Sequence, residues 1–339
     1  MHRAIRIGLI LISSVIATPV YADPEVNLYS ARKEELIKPL LDRFTDETGI
    51  QVNLVTGKDD ALLERLKSEG LNSPADLFNT ADAGRLYRAR AANVLQPVAS
   101  EALAEAVPEN LRDPEGYWFG LSQRARPVFY VTDRVNPGEL STYEDLADPR
   151  WRGRICVRSS NNIYNQSLVA SMIATRGEQA TETWVRGLVA NFARPPRGGD
   201  RDQIKAAAAG LCVLAIANTY YYGMMLSGSD ESQKEAAGRV AIFWPNQADR
   251  GTHVNVSGSG LTAAARTRDS ALKLMEYLVS PEAQRWYAET NHEYPVRERV
   301  EWSDQLESWG HFKADTINLS VLGENNPAAV MLMDRAGWR

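Results

Sequence analysis

Three consecutive tyrosines, Tyr220 to Tyr222, follow an apolar segment at residues 212–218 that the sequence predicts to be a strand. A fourth tyrosine, Tyr164, lies in a polar segment that also follows a predicted strand and begins a predicted helix. Because the carboxyl ends of neighbouring strands meet at one edge of a sheet, we expect these phenols to lie close together. Such a site would bind a hard trivalent cation such as Fe³⁺, which prefers anionic oxygen to imidazole or thiolate.

The cation must displace the phenolic protons, since an unperturbed tyrosine has a pKa of about 10. Three phenolates would then balance the charge of Fe³⁺. The alternative is that the tyrosines pack as aromatic side chains beside a loop, which requires no metal. The composition favours oxygen ligands, because 13 Tyr stand against 4 His and 2 Cys. These counts exclude a histidine-rich zinc or copper site and a Cys₄ cluster.

No familiar catalytic motif accompanies the tyrosines. The sequence contains no HExxH, no Walker A motif and no GxGxxG after a predicted strand. Residues 257–260 do not have the spacing of a nucleophile elbow. His253 lies in a predicted strand, where a structural hydrogen-bonding role is favoured over catalysis. We therefore expect a binding protein and no enzyme, with a secreted hydrolase that uses two cleft carboxylates as an alternative.

The elements that must position these residues alternate between strands and helices. In the first part of the chain, strands are predicted at residues 26–29, 50–55 and 75–80, with helices at 36–44, around 62–66 and at 82–92. Later, strands are predicted at 154–158 and 212–218, and helices at 166–176, 182–192, 203–209, 270–279 and from 280 onward. Strands at 128–131 and 240–244 are predicted to pass between two lobes. This pattern predicts an α/β fold of two lobes with parallel sheets, whose ligand lies in the cleft at the carboxyl ends of the strands.

The first 22 residues have the pattern of a secretory signal peptide. A basic start is followed by an apolar run at residues 7–17 and by small residues before a cleavage site after Ala22. The run is too short to span a bilayer comfortably, and a transmembrane anchor is the alternative. The net charge of −5 and the hydrophobic content of 44% indicate a soluble globular protein without nucleic acid or anionic membrane as partners.

Export determines how the 2 cysteines are interpreted. In an oxidising compartment two cysteines usually form a disulfide. Cys156 and Cys212 both lie in short apolar segments, and neighbouring strands of one sheet would bring them within bonding distance. Free, buried thiols are the alternative.

Over essentially the whole mature chain, the sequence resembles the ferric-ion-binding periplasmic proteins that supply bacterial iron ABC importers. The resemblance is carried, in this order, by residues 27–32, 73–76, 118–120, 158–171, 218–223 and 251–258. It implies the two-lobed type II periplasmic-binding-protein fold, in which a hinge closes the lobes over an interlobe cleft. It also implies that Tyr164, Tyr220 and Tyr221 are the metal ligands, because they match the family's tyrosine motifs, whereas Tyr222 lies outside them.

With this fold we expect a signal peptide at residues 1–22, an N-lobe of residues 23–125 plus about 250–299, and a C-lobe of residues 126–249 plus about 300–339 that carries the tyrosines. The resemblance implies a monomeric periplasmic protein that captures Fe³⁺ and delivers it to an inner-membrane ABC permease. The alternative is that the same fold binds an organic solute or an oxyanion.

The N-lobe motif departs from part of that family. Lys33 and Glu34 stand where some members have His or His-Tyr as metal ligands. Ala81, next to Asp82, stands where other members have an acidic ligand. The sequence therefore does not identify an N-lobe ligand, and we expect carbonate or bicarbonate to complete the coordination of iron.

Arg32 is the predicted anchor of that anion, since a guanidinium beside a helix N-terminus holds an oxyanion with two hydrogen bonds. A salt bridge is its alternative role. Ser159 and Ser160 are predicted to cap the following helix or to bind an anion at its N-terminus. Arg124 and Arg126 are further candidates for the anion, with bracing of the crossing strands as their alternative.

Overall fold

The computed structural model describes residues 24–339, and the predicted signal peptide with its cleavage site lies outside the described residues. The described residues form the strands β1 (Glu25–Ser30), β2 (Gln51–Thr56), β3 (Leu77–Ala81), β4 (Leu95–Gln96), β5 (Phe119–Ala125), β6 (Val128–Val131), β7 (Ile155–Cys156), β8 (Leu214–Ile216), β9 (Val240–Phe243) and β10 (Val254–Thr262). Their α-helices are α1 (Glu34–Thr48), α2 (Asp59–Glu69), α3 (Ala83–Ala91), α4 (Glu101–Ala106), α5 (Ile163–Arg176), α6 (Glu178–Ala190), α7 (Asp200–Ala208), α8 (Thr219–Ser227), α9 (Glu231–Gly238), α10 (Arg268–Leu278), α11 (Pro281–Thr290), α12 (Asp304–Glu307), α13 (Ser320–Glu324) and α14 (Asn326–Arg335).

The first sheet has the strand order β2, β1, β3, β10 and β4, with β5 paired to β10. β1 pairs in parallel with both β2 and β3, as the alternation of strands and helices predicts. β10 arrives from the second sheet and runs antiparallel to β3, β4 and β5. The sheet is therefore mixed, and the prediction of a parallel sheet is correct only for its first three strands. We call this sheet and its helices the N-lobe.

The second sheet has the strand order β7, β8, β6 and β9 and is the centre of the C-lobe. β7 and β8 are parallel, whereas β6 is antiparallel to β8 and β9. The strands β6 and β9, which were expected to pass between the lobes, lie inside this sheet. The chain instead crosses between the sheets in the segments that join β5 to β6 and β9 to β10.

Apolar faces of the helices pack on the sheets. Leu40 and Phe44 of α1 are fully buried with Val26 and Leu28 of β1. Burial of each such side chain contributes about 1.5–3 kcal/mol. This packing explains why α1 runs through Pro39, which removes a backbone hydrogen bond from the helix interior.

Most predicted elements are present with shifted ends. α5 and α6 begin earlier than predicted, and β7 and β8 are shorter than predicted. The elements that were not predicted are the strands β4 and β5 and the helices α4, α8, α9 and α12 to α14. β5 is buried along almost its whole length, so it lacks the polar and apolar alternation that identifies a half-buried strand.

The predicted disulfide is present. Cys156 at the end of β7 and Cys212, shortly before β8, are bonded with their Cα atoms 5.9 Å apart. The bond ties together the two strands that lead to the tyrosine segments. Among residues 24–339, no helix has both the length and the apolar character needed to cross a membrane.

Candidate metal centre

Two helix N-termini bring the tyrosines to one edge of the second sheet. The helices α5 and α8 follow the parallel neighbours β7 and β8 along the chain. Tyr164 is the second residue of α5, and Tyr220 and Tyr221 are the second and third residues of α8. A helix N-terminus carries partial positive charge, so these positions favour ionised phenols.

The phenols of Tyr164 and Tyr220 are in direct contact. The Tyr220 hydroxyl donates to the Tyr164 hydroxyl oxygen at 3.3 Å, and the ring centres of Tyr220 and Tyr221 are 4.1 Å apart. Tyr222 points into the C-lobe core, where its hydroxyl donates to the carbonyl of Val240 at 3.2 Å. The three consecutive tyrosines are therefore divided between the cleft and the core.

Three guanidinium groups surround the ring of Tyr164. The Cζ atoms of Arg124, Arg126 and Arg158 lie 5.4, 6.0 and 5.7 Å from its centre. Burial raises the pKa of the Tyr164 phenol above its ordinary value, and Arg124 opposes this rise. Burial, followed by the two phenolic neighbours, also raises the pKa of Tyr220. Both phenols therefore carry protons at neutral pH, and a metal ion bound by them would have to displace these protons.

Arg126 connects the two tyrosine helices. Its guanidinium donates to Asp200 at 2.9 Å, to Asn218 at 2.8 Å and to Asn165 at 2.6 Å. Asn218 directly precedes α8, and Asn165 lies in the first turn of α5. Neither Arg124 nor Arg126 lines the cavity described below, and the contacts of Arg126 are those of a bracing residue.

A cavity of about 270 Å³ lies between the tyrosines and the N-lobe. Its C-lobe side is lined by Tyr164, Arg201, Tyr220, Tyr221 and Met224, and its N-lobe side includes Arg32, Lys33, Asp59, Thr80, Ala81, Ser257 and Glu293. Within residues 24–339, no group of three or more His, Cys, Asp or Glu side chains is placed to hold a metal ion. The three phenols are therefore the cluster of oxygen donors on the C-lobe side of this cavity, and the carboxylates of Asp59 and Glu293 lie on its N-lobe side.

Arg32 lines the cavity, but its charge is already paired. Its Nη2 donates to Glu293 at 2.7 Å and to Ser122 at 3.2 Å, and its Cζ lies 5.2 Å from the ring centre of Tyr287. Burial opposes the charge, yet Glu293 raises the pKa of Arg32 overall, so the guanidinium stays cationic. The salt bridge named as its alternative role is present inside the N-lobe. Among the described residues, the side-chain hydrogen bonds of Arg32 all use Nη2.

Asn162, and neither of the two predicted serines, caps α5. The Asn162 side chain accepts a hydrogen bond from the backbone N–H of Tyr164. The predicted cap by Ser159 or Ser160 is wrong, because both lie too far before Ile163, the first helical residue, to occupy the capping position. Neither serine lines the cavity.

The three N-lobe residues that the sequence left open occupy different places. Lys33 lines the cavity, whereas Glu34 begins α1 outside it. Asp82 is fully buried and accepts hydrogen bonds from Ser167 of α5 at 2.7 Å and from the backbone N–H of Gly84 at 2.9 Å. Its carboxylate thus joins the two lobes instead of facing the cavity.

His253 is 3% exposed and its backbone N–H donates to the Tyr143 hydroxyl oxygen. Its Nδ1 has no hydrogen-bond partner among the described residues, so the predicted hydrogen-bonding role is filled by the backbone and not by the ring. Burial, followed by Arg126 and Arg124, lowers the pKa of His253 to about 3. The imidazole is therefore neutral at physiological pH.

Three charged residues of the cavity were not predicted. Asp59 begins α2, Arg201 lies in α7, and Glu293 follows α11. The Cζ of Arg201 lies 5.8 Å from the ring centre of Tyr221. Asp59 could have been found from the sequence, because it stands between a predicted strand and a predicted helix. Arg201 and Glu293 carry no local pattern of that kind.

Comparisons with known proteins show which family the chain resembles. The family model of bacterial extracellular solute-binding proteins matches residues 72–315. The chain is 51% identical over 315 residues to iron uptake protein A1 of Synechocystis, which covers 93% of this chain and 88% of that protein. It is 27% identical over 344 residues to the major ferric iron-binding protein of Neisseria meningitidis, which covers 100% of both chains. A solved Trichodesmium structure in complex with iron and citrate ligands has a TM-score of 0.91 and 51% identity, and covers 93% of this chain and 100% of that chain.

Proposed function

The chain belongs to the bacterial extracellular solute-binding proteins, and from this membership we propose that it captures ferric iron and delivers it to an ABC permease. The phenolates of Tyr164, Tyr220 and Tyr221 bind the ion. The single observation that carries the proposal is the convergence of these phenols from two helix N-termini on one cavity. Three phenolates neutralise Fe³⁺, and hard anionic oxygen is the donor type that this ion prefers.

The names of the Synechocystis and Neisseria relatives describe uptake or binding of iron and no catalysis. This supports a transport protein over the secreted hydrolase considered above. The Cys156–Cys212 disulfide and the extracellular family support a periplasmic location, reached after removal of residues 1–22. In this setting the protein acts as a monomer and presents its closed lobes to an inner-membrane permease.

Arg32 is the proposed anchor of a small anion, carbonate or bicarbonate, that shares the coordination of iron. Its guanidinium lines the cavity and keeps its charge, and its Nε and Nη1 are not used by the hydrogen bonds to Glu293 and Ser122. The salt bridge to Glu293 orients the guanidinium plane in this arrangement. The anion then completes the coordination from the N-lobe side.

The test is a titration of the metal-free protein with ferric citrate. Binding by phenolates produces an orange-red charge-transfer band, which is expected in the wild type and lost in the double variant Tyr220→Phe/Tyr221→Phe. The matched control is Tyr222→Phe, because this neighbouring hydroxyl donates to Val240 in the core and does not line the cavity. The control is expected to keep both the band and the wild-type affinity.

A colourless wild-type protein would overturn the iron proposal and favour an organic solute or an oxyanion as the ligand. Retention of the full band by the double variant would show that iron binds elsewhere. Thermal unfolding of each metal-free variant shows whether the substitution has left the C-lobe folded.

A further inference from the structure

On the N-lobe side of the cavity, this chain lacks the metal-binding side chains that part of the resembled family has at the positions of Lys33, Glu34 and Ala81. Lys33 and Ala81 line the cavity but offer no anionic side-chain oxygen, and Asp82 is committed to the contact between the lobes. Asp59, at the start of α2, lines the same cavity as the three tyrosines. A carboxylate is thus present on the N-lobe wall of the cleft. It lies outside residues 33–34 and 81–82, where the resemblance places the N-lobe ligands of other family members.

Hydrogen bonds hold one oxygen of Asp59. Its Oδ1 accepts from the Thr80 hydroxyl at 2.7 Å and from the backbone N–H of Ala81 at 3.0 Å. Its Oδ2 accepts no hydrogen bond from the described residues, and the nearest cationic group, Arg85 Nη1, lies 3.9 Å away. The carboxylate is therefore fixed in orientation, and Oδ2 is held only by the long ion pair with Arg85.

Asp59 lies across the cavity from the phenols. It lines the same cavity as Tyr164, Tyr220 and Tyr221, but from the N-lobe side. Like charges that face one site disfavour ionisation until a cation enters between them. A trivalent ion relieves this repulsion, and carboxylate oxygen is a hard donor like phenolate.

We propose that Asp59 Oδ2 is the N-lobe ligand of the ferric ion, an inference that rests on the proposed function. The ion then has donors in both lobes, so its binding energy favours the closed arrangement over the open one. The proposal accounts for a chain whose N-lobe motif has Lys33 and Glu34 in place of ligands. It is independent of whether Arg32 also holds an anion.

The test compares Asp59→Asn with Asp60→Asn. Asparagine retains the oxygen that accepts from Thr80 and Ala81 but loses the charge. Asp60 is the matched control, because it is the next residue of the same helix and pairs with Arg85 and Arg88 away from the cavity. Iron affinity is measured by competition with citrate, and lobe closure on iron binding is measured by small-angle X-ray scattering.

Asp59→Asn is expected to bind iron about tenfold more weakly or worse and to close less completely, whereas Asp60→Asn stays within about twofold of the wild type. Asp59→Glu, which keeps the charge and the donor type, is expected to recover part of the affinity. Wild-type affinity and closure in Asp59→Asn would overturn the role of Asp59, as would an Asp59→Glu variant no better than Asp59→Asn. A wild-type protein without the charge-transfer band would instead overturn the proposed function.

Discussion

At the scale of residues, the site depends on where each phenol lies in its helix. Tyr164, Tyr220 and Tyr221 occupy first-turn positions, where the helix termini and nearby guanidinium groups favour negative charge. Burial works against that charge by raising the pKa of Tyr164 and Tyr220. Tyr164 and Tyr220 therefore keep their protons without metal, so the proposed binding of iron is coupled to proton release.

Iron affinity is therefore expected to fall as the pH decreases. For each phenolic proton that iron displaces, the apparent binding constant falls about tenfold when the pH is lowered by one unit. Displacement of three protons therefore lowers it about 1,000-fold per pH unit. The measurement is chelator competition between about pH 6 and pH 8, corrected for protonation of the chelator. In Tyr164→Phe the slope should be lower by about one proton. An affinity that does not change with pH would contradict the assignment of phenolates.

Substitution of Arg32 tests the proposed anion. Arg32→Gln keeps a hydrogen-bond donor for Glu293 but removes the charge that would hold carbonate or bicarbonate. The wild type is expected to bind iron more tightly when bicarbonate is added, and the variant is expected to lose this dependence. Arg43→Ala is the control, because this exposed arginine pairs with Glu282 outside the cavity. Unchanged bicarbonate dependence in Arg32→Gln would show that Arg32 is not the anchor.

At the scale of elements, α8 both carries two of the phenols and packs against the N-lobe. Gly223 of α8 lies against His292, which follows α11, and Ser227 of the same helix is within 2.9 Å of His292 Nε2. A Cβ atom at position 223 would lie 2.5 Å from the Cβ of His292. The absence of a side chain at this position thus allows the tyrosine helix and the N-lobe to approach each other.

Gly223→Ala is expected to destabilise the protein by about 1–3 kcal/mol, because the added methyl group has no room. The helical preference of alanine over glycine acts in the opposite direction by about 1 kcal/mol. A net loss of stability would therefore show that the added methyl group clashes with its neighbours. Gly238→Ala, at the end of α9 with no atom within 4 Å of the added group, is the matched control and should be neutral or stabilising by up to about 1 kcal/mol. Thermal unfolding of both variants provides the measurement. An unchanged or raised midpoint for Gly223→Ala would contradict this packing.

At the scale of the whole molecule, the two lobes meet through buried polar contacts as well as at the cavity. Ser167 of α5 donates to Asp82, which directly precedes α3, and Asn255 of β10 donates to the same carboxylate at 2.9 Å. The short helix α13 packs against α3 of the N-lobe and against α5 of the C-lobe. The helix that carries Tyr164 is therefore in contact with the N-lobe on more than one side, so closure of the lobes and the geometry of the phenols are coupled.

The class of fold was predictable because strand and helix periodicities are local properties of the sequence. The α/β class with two lobes is confirmed, and the strands β1 and β6 lie close to their predicted bounds. The antiparallel placement of β10 was not predicted, because strand direction depends on how the chain returns from the other lobe. The bounds of the two lobes remain a prediction.

The sequence by itself determined the residue types of the site: tyrosines after two predicted strands, few histidines, and two cysteines placed to bond. Only the tertiary structure decided that Tyr222 turns into the core and that Glu293 pairs with Arg32. These outcomes depend on contacts between segments far apart in the chain, whose approach no local pattern encodes. For the same physical reason Asp59 became a candidate ligand only after folding had placed α2 opposite the phenols.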